Sequence, residues 1–296
     1  MKRRNRTAWV ILVAAGCAPL AAAQEKRQKT YEEIVNAPVV LKVPGTRDVK
    51  VRADLRYSEA DPHLFMDVFS PPATRATDRH PVVMFIHGGA GSESRPKDWG
   101  LYKSWGRTVA ASGFTAVTFN HRLGYPDPLL QESATDVAAA IDYVRAHARE
   151  WNADDDRICL AAFSAGGPML TLGFDPKRPY VRCLIGFYAF MDIQQTGLHS
   201  KYEPAERVRA FSPIEHLGDE YARSVPMFIG RGGLDEIPTM NDSIDRYIAR
   251  AIEKNANLVV WNHPQGTHTF DNQNDDDRSR EIIAAALEFM RRHLKS

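Results

Sequence analysis

The chain has 296 residues, 44% of them hydrophobic, with 38 basic side chains against 37 acidic ones and a formal net charge of +1. That length suits one large α/β domain with a substantial core. Balanced charge offers nothing to a polyanion, so no nucleic-acid partner is expected. The ten histidines show no H-E-x-x-H or other close metal-ligand spacing, so neither a metal nor another cofactor is expected.

The first residues carry an address. Met1 to Arg6 is basic, Ala8 to Leu20 is apolar but too short to span a bilayer comfortably, and Ala21, Ala22 and Ala23 are small residues before Gln24. This pattern predicts a signal peptide over residues 1–23, a periplasmic or secreted protein, and no stable membrane span. Ala14 to Cys17 is a partial lipobox, so a lipid anchor on Cys17 is the alternative. Residues 24–45 then read as an N-terminal arm, and 46–296 as one domain. Export leaves Cys159 and Cys183, both on expected neighbouring strands. Facing side chains on adjacent parallel strands seldom meet disulfide geometry, so two buried thiols are expected.

Asp48 to Tyr57 alternates strictly between apolar and charged residues, which predicts an antiparallel edge strand with one wet face. Leu64 to Phe69 completes a hairpin with it. Strands then read at 82–86, 114–119, 158–163, 183–188, 226–230 and 257–261. Helices fall between them, near 98–112, 134–149, 166–173, 240–254 and 278–295. Val137, Ala140, Ile141, Val144 and Ala148 make an apolar stripe at helical spacing, and Ile282, Ile283, Ala286, Leu287, Met290 and Leu294 make another. Repeated β–α units with continuous apolar strands predict a mostly parallel, eight-stranded sheet with helices on both faces. Residues 190–223 are too long for an ordinary connection.

Four strand ends carry chemistry. Ile158 to Phe163 runs into Ser164, with Ala162 and Gly166 two positions either side. A serine on a sharp strand-to-helix turn between small residues is what a nucleophile elbow requires. Pro81 to Ile86 leads into His87, Gly88, Gly89, Ala90 and Gly91, a loop whose backbone N–H groups can approach a ligand closely. Val225 to Leu234 ends in Asp235, and Leu258 to Asn262 leads to His263 and His268. A serine hydroxyl needs a base within hydrogen-bond reach, and the base needs a group that fixes its tautomer. The residue after the nucleophile, Ala165, supplies one oxyanion-hole N–H.

The order of donor loop, serine, acid and histidine resembles the α/β-hydrolase superfamily. It is most similar to its esterase branch with a His-Gly-Gly-x loop, including hormone-sensitive-lipase-like and polysaccharide acyl esterases. The resemblance spans about residues 45–295 and includes Asn120 to Leu123 and the helix Asp136 to Arg145. Alanine at 162 departs from the family's glycine. The resemblance implies a catalytic triad of Ser164, Asp235 and His268, with Gly89, Ala90 and Ala165 as oxyanion-hole donors. His268 is preferred to His263 because Gly-Thr-His-Thr-Phe is similar to the family's Gly-x-His-Gly-Phe. Asp235 is preferred to its neighbour Glu236 because it occupies the family position. In the family an insertion at 190–223 commonly caps the active site; a surface excursion with its own small core is the other reading.

Several features have a structural reading. His87 is expected to anchor its loop, Arg122 to brace Asp136, and His263 to end its strand. Asp271 to Asp277 is superficially like a calcium loop but lacks the bend glycine, so a solvated loop with an acid capping the last helix is expected. The whole implies a secreted serine esterase acting on a small-molecule or polysaccharide-linked ester through an acyl-enzyme, with short acyl groups favoured by the Ala90 methyl. A serine peptidase or amidase, or a non-catalytic binding protein on the same scaffold, are the alternatives.

Overall fold

The structure is a computed structural model that describes residues 29–89, 91, 94–124, 129–196 and 203–295. The signal-peptide and lipobox expectations lie outside these residues, as does Ala90. The arm begins with helix α1 (Tyr31–Asn36), closed by a capping box in which Thr30 and Glu33 satisfy each other's backbone. Strands β1 (Lys50–Arg56) and β2 (Phe65–Ser70) form the hairpin, then come β3 (His80–Ile86), α2 (Gly100–Ala111), β4 (Thr115–Phe119) and α3 (Leu130–His147). Strand β5 (Ala153–Phe163) runs directly into a tight 3-10 helix, Ser164–Phe174. The rest is β6 (Val181–Phe187), α4 (Ala205–Ala210), α5 (Glu220–Ser224), β7 (Met227–Gly232), α6 (Met240–Glu253), β8 (Leu258–His263), α7 (Phe270–Gln273) and α8 (Asp277–His293).

The eight strands form one sheet in the order β1-β2-β4-β3-β5-β6-β7-β8. β1–β2 and β2–β4 are antiparallel; every other pair is parallel. The period-two alternation of the central strands explains why both faces are covered. Val82, Met84, Ile158, Leu160 and Ala162 face the core under α3 and α6, whereas Val83, Phe85, Cys159, Ala161 and Phe163 face that under α2 and α8. Both apolar helix stripes read from the sequence are buried. Cys159 and Cys183 sit opposite each other on β5 and β6 as free thiols, and burial raises the Cys159 thiol well above its usual range. Among the described residues no helix is long and apolar enough to cross a membrane.

Two expectations change. Strand β1 is antiparallel as expected, but its apolar face is not sheltered: only Leu55 is half-buried along the strand. A register shift between Arg52 and Leu55 breaks the alternation there, with Asp54 in the left-handed region and its amide donating to Asp67 Oδ1 at 2.9 Å. The second concerns 190–223. Its described part makes no core of its own, because Phe190, Met191, Ile193, Val208, Leu217 and Ala222 join the main core with α3 and α6.

Candidate active site

Ser164 sits at the end of β5 with φ 52°, a left-handed backbone that non-glycine residues seldom adopt. The turn is so tight that a Cβ at Gly166 would lie 2.5 Å from the His87 carbonyl oxygen, and one at Gly88 would lie 2.7 Å from Ser164 Cβ. Both positions therefore need glycine. Two positions before the serine the alanine fits: Ala162 lies within the core on the α3 face. The elbow thus tolerates the departure from glycine on the strand side but not on the helix side.

Three other segments converge on this turn. The loop between β8 and α7 carries His268, whose Nε2 lies 3.0 Å from Ser164 Oγ. Its Nδ1 lies 2.8 Å from Asp235 Oδ2, in the turn beyond β7. Asp235 is shielded from solvent, and its second oxygen accepts from the Ile237 amide at 3.0 Å. The serine hydroxyl donating to Nε2, and Nδ1–H donating to the carboxylate, satisfy every group in the row. Glu236 holds the backbone instead of the ring, its carboxylate accepting from the His268 N–H at 3.0 Å. His263 stands apart, with Nε2 held between both oxygens of Asp276 at 3.0 and 3.1 Å. Asp276 also caps α8 by accepting from the Ser279 amide, as the acidic run predicts.

The loop after β3 lies against the elbow. His87 Nδ1–H donates to the Gly88 carbonyl at 2.8 Å, and its Nε2 accepts from the His121 amide at 3.2 Å. The two imidazoles stack at 3.8 Å. Burial pushes His87 down to about 4 and His121 well below its usual value, so both remain neutral and hold the loop without adding charge. Arg122 braces the neighbouring segment with two side-chain bonds to Asp136, at 2.9 and 2.8 Å. Ala165 is the second residue of the helix that Ser164 opens, where the first amides have no intrahelical acceptor. The structure thus brings together Ser164, Asp235 and His268, with Ala165 next to Ser164 in the chain and Gly89 following the Gly88 that packs on Ser164, whereas Ala90 lies outside the described residues.

Some supporting residues carried no signal in the sequence. Tyr102 accepts from the Gly88 amide at 3.0 Å, and Tyr31 of α1 donates to the Gly89 carbonyl at 3.4 Å, so the arm reaches the donor loop. Lys97 is fully buried where that loop returns to α2, with Asp67 and Asp54 at 2.9 Å and Asp98 at 3.0 Å. Burial opposes its charge, but the three carboxylates outweigh burial and raise the ammonium above its usual range. Asp67 is the buried one of the three, whereas Asp54 and Asp98 reach solvent. Beside the loop, His63, His87, Pro96, His121, Arg122 and Leu129 line part of a cleft of about 300 Å³.

An eight-stranded sheet with a second antiparallel strand, a serine elbow after β5, an acid after β7 and a histidine after β8 decides the fold. The chain has the α/β-hydrolase fold. The family model described as BD-FAE matches residues 66–174 of the chain, from β2 through the elbow helix. The probable carboxylic ester hydrolase LipM of Mycobacterium tuberculosis is 26% identical over 223 residues, covering 64% of this chain and 49% of LipM. Esterase LipQ of the same organism is 23% identical over 278 residues, covering 83% of this chain and 63% of LipQ. The chain therefore spans about half of the length of LipM and less than two thirds of that of LipQ. Among solved structures, a truncated carbohydrate esterase from gut microbiota superposes with a TM-score of 0.68 at 17% identity, covering 84% of this chain and 99% of that one. The propionate-bound esterase Est2 of Thermogutta terrifontis superposes at 0.64 and 20% identity, covering 84% and 96%.

Proposed function

We propose that this α/β-hydrolase is an exported serine esterase that cleaves short-chain carboxylic esters through a Ser164–His268–Asp235 triad. The observation that carries the reading is the unbroken row of hydrogen bonds from Ser164 Oγ through His268 to Asp235, at 3.0 and 2.8 Å, beginning on a backbone held in the left-handed region. Ser164 Oγ attacks the ester carbonyl while His268 Nε2 takes its proton, and the carbonyl oxygen becomes an oxyanion. The amides of Gly89, Ala90 and Ala165 are its proposed donors. Collapse of this intermediate breaks the ester C–O bond, and the imidazolium returns the proton to the leaving alkoxide. Water then attacks the acyl-enzyme, giving its proton to His268, and Ser164 leaves with that proton as the acid is released. Asp235 holds Nδ1–H throughout and stabilises the imidazolium without taking its proton. The names of both mycobacterial relatives, a carboxylic ester hydrolase and an esterase, support this class of reaction.

The short-acyl reading rests on Ala90, whose methyl stands in the donor loop where relatives of this kind often carry glycine. The Est2 structures from Thermogutta terrifontis hold propionate and butyrate, which sets the starting point of a substrate series. With 4-nitrophenyl esters, kcat/KM is expected to be highest from acetyl to butyryl and to fall beyond roughly six acyl carbons. Each methylene buried in a fitting pocket adds about 0.8 kcal/mol, so a long slot would give the opposite trend. An octanoyl or longer optimum would overturn the short-acyl assignment. Export is tested separately, by mass spectrometry of material from the native host. An N-terminus at Gln24 is expected; a retained Met1 contradicts export, and a diacylated Cys17 makes the protein a lipoprotein.

A further inference from the structure

The acidic run after His268 is not all solvated. Asp271 is fully buried, three residues beyond His268. Its Oδ2 accepts from Trp105 Nε1–H of α2 at 2.6 Å, and its Oδ1 accepts from the Tyr188 hydroxyl at 2.8 Å. Among the described residues no lysine or arginine forms an ion pair with it, so neutral donors alone hold this carboxylate. Tyr188 follows β6 and is itself unusual. It is buried with φ 37°, and its amide donates to the Gly230 carbonyl at 2.7 Å. A strained, non-glycine backbone kept by its surroundings marks a position where the side-chain direction matters. That direction is informative: the Tyr188 ring lies edge-on to the His268 imidazole, with centroids 4.8 Å apart.

We propose that Asp271 and Tyr188 are positioning residues for His268: the carboxylate fixes the tyrosine, the ring sets the tilt of the imidazole, and the buried negative charge favours the imidazolium. The proposal rests on the reading of His268 as the general base. A purely structural knot between α2 and the segment from His268 to Gln273 would not require a charge. Taking a carboxylate out of water is costly, and two neutral donors offset only part of that cost. The group that gains positive charge during turnover is His268, as Ser164 gives up its proton. Burial raises the Asp271 carboxyl above its usual value, while Trp105, Tyr188 and the nearby His268 hold it down.

The other titratable groups around the pair are few. Asp235 and Glu236 face His268 from the turn after β7. Tyr102 of α2 faces Asp271, and burial raises both Tyr102 and Tyr188, so neither ionises near neutral pH. His263 packs on Phe270 but is paired with Asp276 on its other side. The charge that changes in an Asp271 variant is therefore that of Asp271 itself.

Two substitutions in the full chain separate the ring from the charge. Tyr188→Phe keeps the ring and the carboxylate but removes their tether. It is expected to lower kcat roughly three- to tenfold with KM unchanged, as small misplacements of a reacting group do. Asp271→Asn removes the charge at nearly constant shape. It is expected to lower kcat about tenfold or more and to move the ascending limb of the kcat–pH profile to lower pH, because the imidazolium loses a stabilising charge. The His268 ring titration followed by NMR should move the same way, and this readout does not depend on turnover. Parental kcat in Tyr188→Phe, or an unmoved His268 titration in folded Asp271→Asn, overturns the proposal. If Asp271→Asn does not fold, Tyr188→Phe alone decides. Failure of the esterase reading would look different: the parent would neither turn over esters nor take a fluorophosphonate label at Ser164.

Discussion

Ser164→Ala is expected to abolish ester turnover and fluorophosphonate labelling while leaving the fold intact. The hydroxyl makes its contact with His268 at 3.0 Å, whereas the backbone that holds the turn, including the Ser164 carbonyl accepting from the Phe190 amide at 3.0 Å, does not depend on the side chain. Alanine has the same Cβ as serine, so the close approach of Gly88 is undisturbed. The thermal midpoint should therefore match the parent. A donor loop without a nucleophile still offers an oxyanion site, so some rate above water can persist. The loss in kcat should nevertheless be on the order of 10⁴ to 10⁶. Parental enzyme should also show a burst of 4-nitrophenol equal to the enzyme concentration if deacylation is slower than acylation, and the variant should show none. Turnover within about tenfold of the parent would sink the assignment of Ser164 as nucleophile.

How much of the fold and the site is legible in the sequence follows from where the information lies. The six inner strands, β2 to β7, can be read because each is a short run whose alternate residues enter the two cores, as Val82, Met84 and Val83, Phe85 do on β3. The site residues can be read because each lies just past the C-terminal end of such a strand, where local small-residue patterns report a tight turn. Gly166 is the clearest case: its neighbours leave no room for a Cβ, so the constraint is written into the sequence. The β1 expectation fails for a related reason. Its alternation is real, but a bulge at Arg52–Leu55 changes which side chains share a face, and a bulge has no sequence mark of its own.

Asp271, Lys97 and Tyr188 are illegible for a different reason. Their importance comes from partners 166, 30 and 83 residues away. Nothing in the local pattern separates the buried Asp271 from the exposed Asp275 and Asp277 that follow it in the same run. Likewise Lys97 reads as a surface charge beside Asp98, although its ammonium lies out of solvent among three carboxylates. Buried polar groups are placed by satisfaction of hydrogen bonds across the whole fold, which a window of neighbours does not contain. The reverse holds for the choice between Asp235 and Glu236, adjacent acids that the sequence can rank only by resemblance. The structure assigns them different hydrogen bonds, one to the His268 ring and one to its backbone.

That separation gives the second large effect. Asp235→Asn is expected to lower kcat by about 10⁴-fold, the size of a wrong-tautomer defect in a serine triad. The parental carboxylate accepts twice, from His268 Nδ1–H at 2.8 Å and from the Ile237 amide at 3.0 Å. An asparagine can accept at only one of those places. Keeping its oxygen on the Ile237 amide turns its NH₂ toward Nδ1, which must then accept. The imidazole proton moves to Nε2 and points at Ser164 Oγ, so the ring can no longer take the hydroxyl proton. Glu236→Gln has no such consequence, because an amide oxygen still accepts from the His268 backbone N–H; kcat should stay within about threefold. Glu236→Ala removes that acceptor and should cost about 1 kcal/mol of stability, the usual net worth of one hydrogen bond. Steady-state kinetics on 4-nitrophenyl acetate, with thermal midpoints measured alongside, checks all three. If Glu236→Gln proved more damaging than Asp235→Asn, Glu236 rather than Asp235 would be the acid that orients His268.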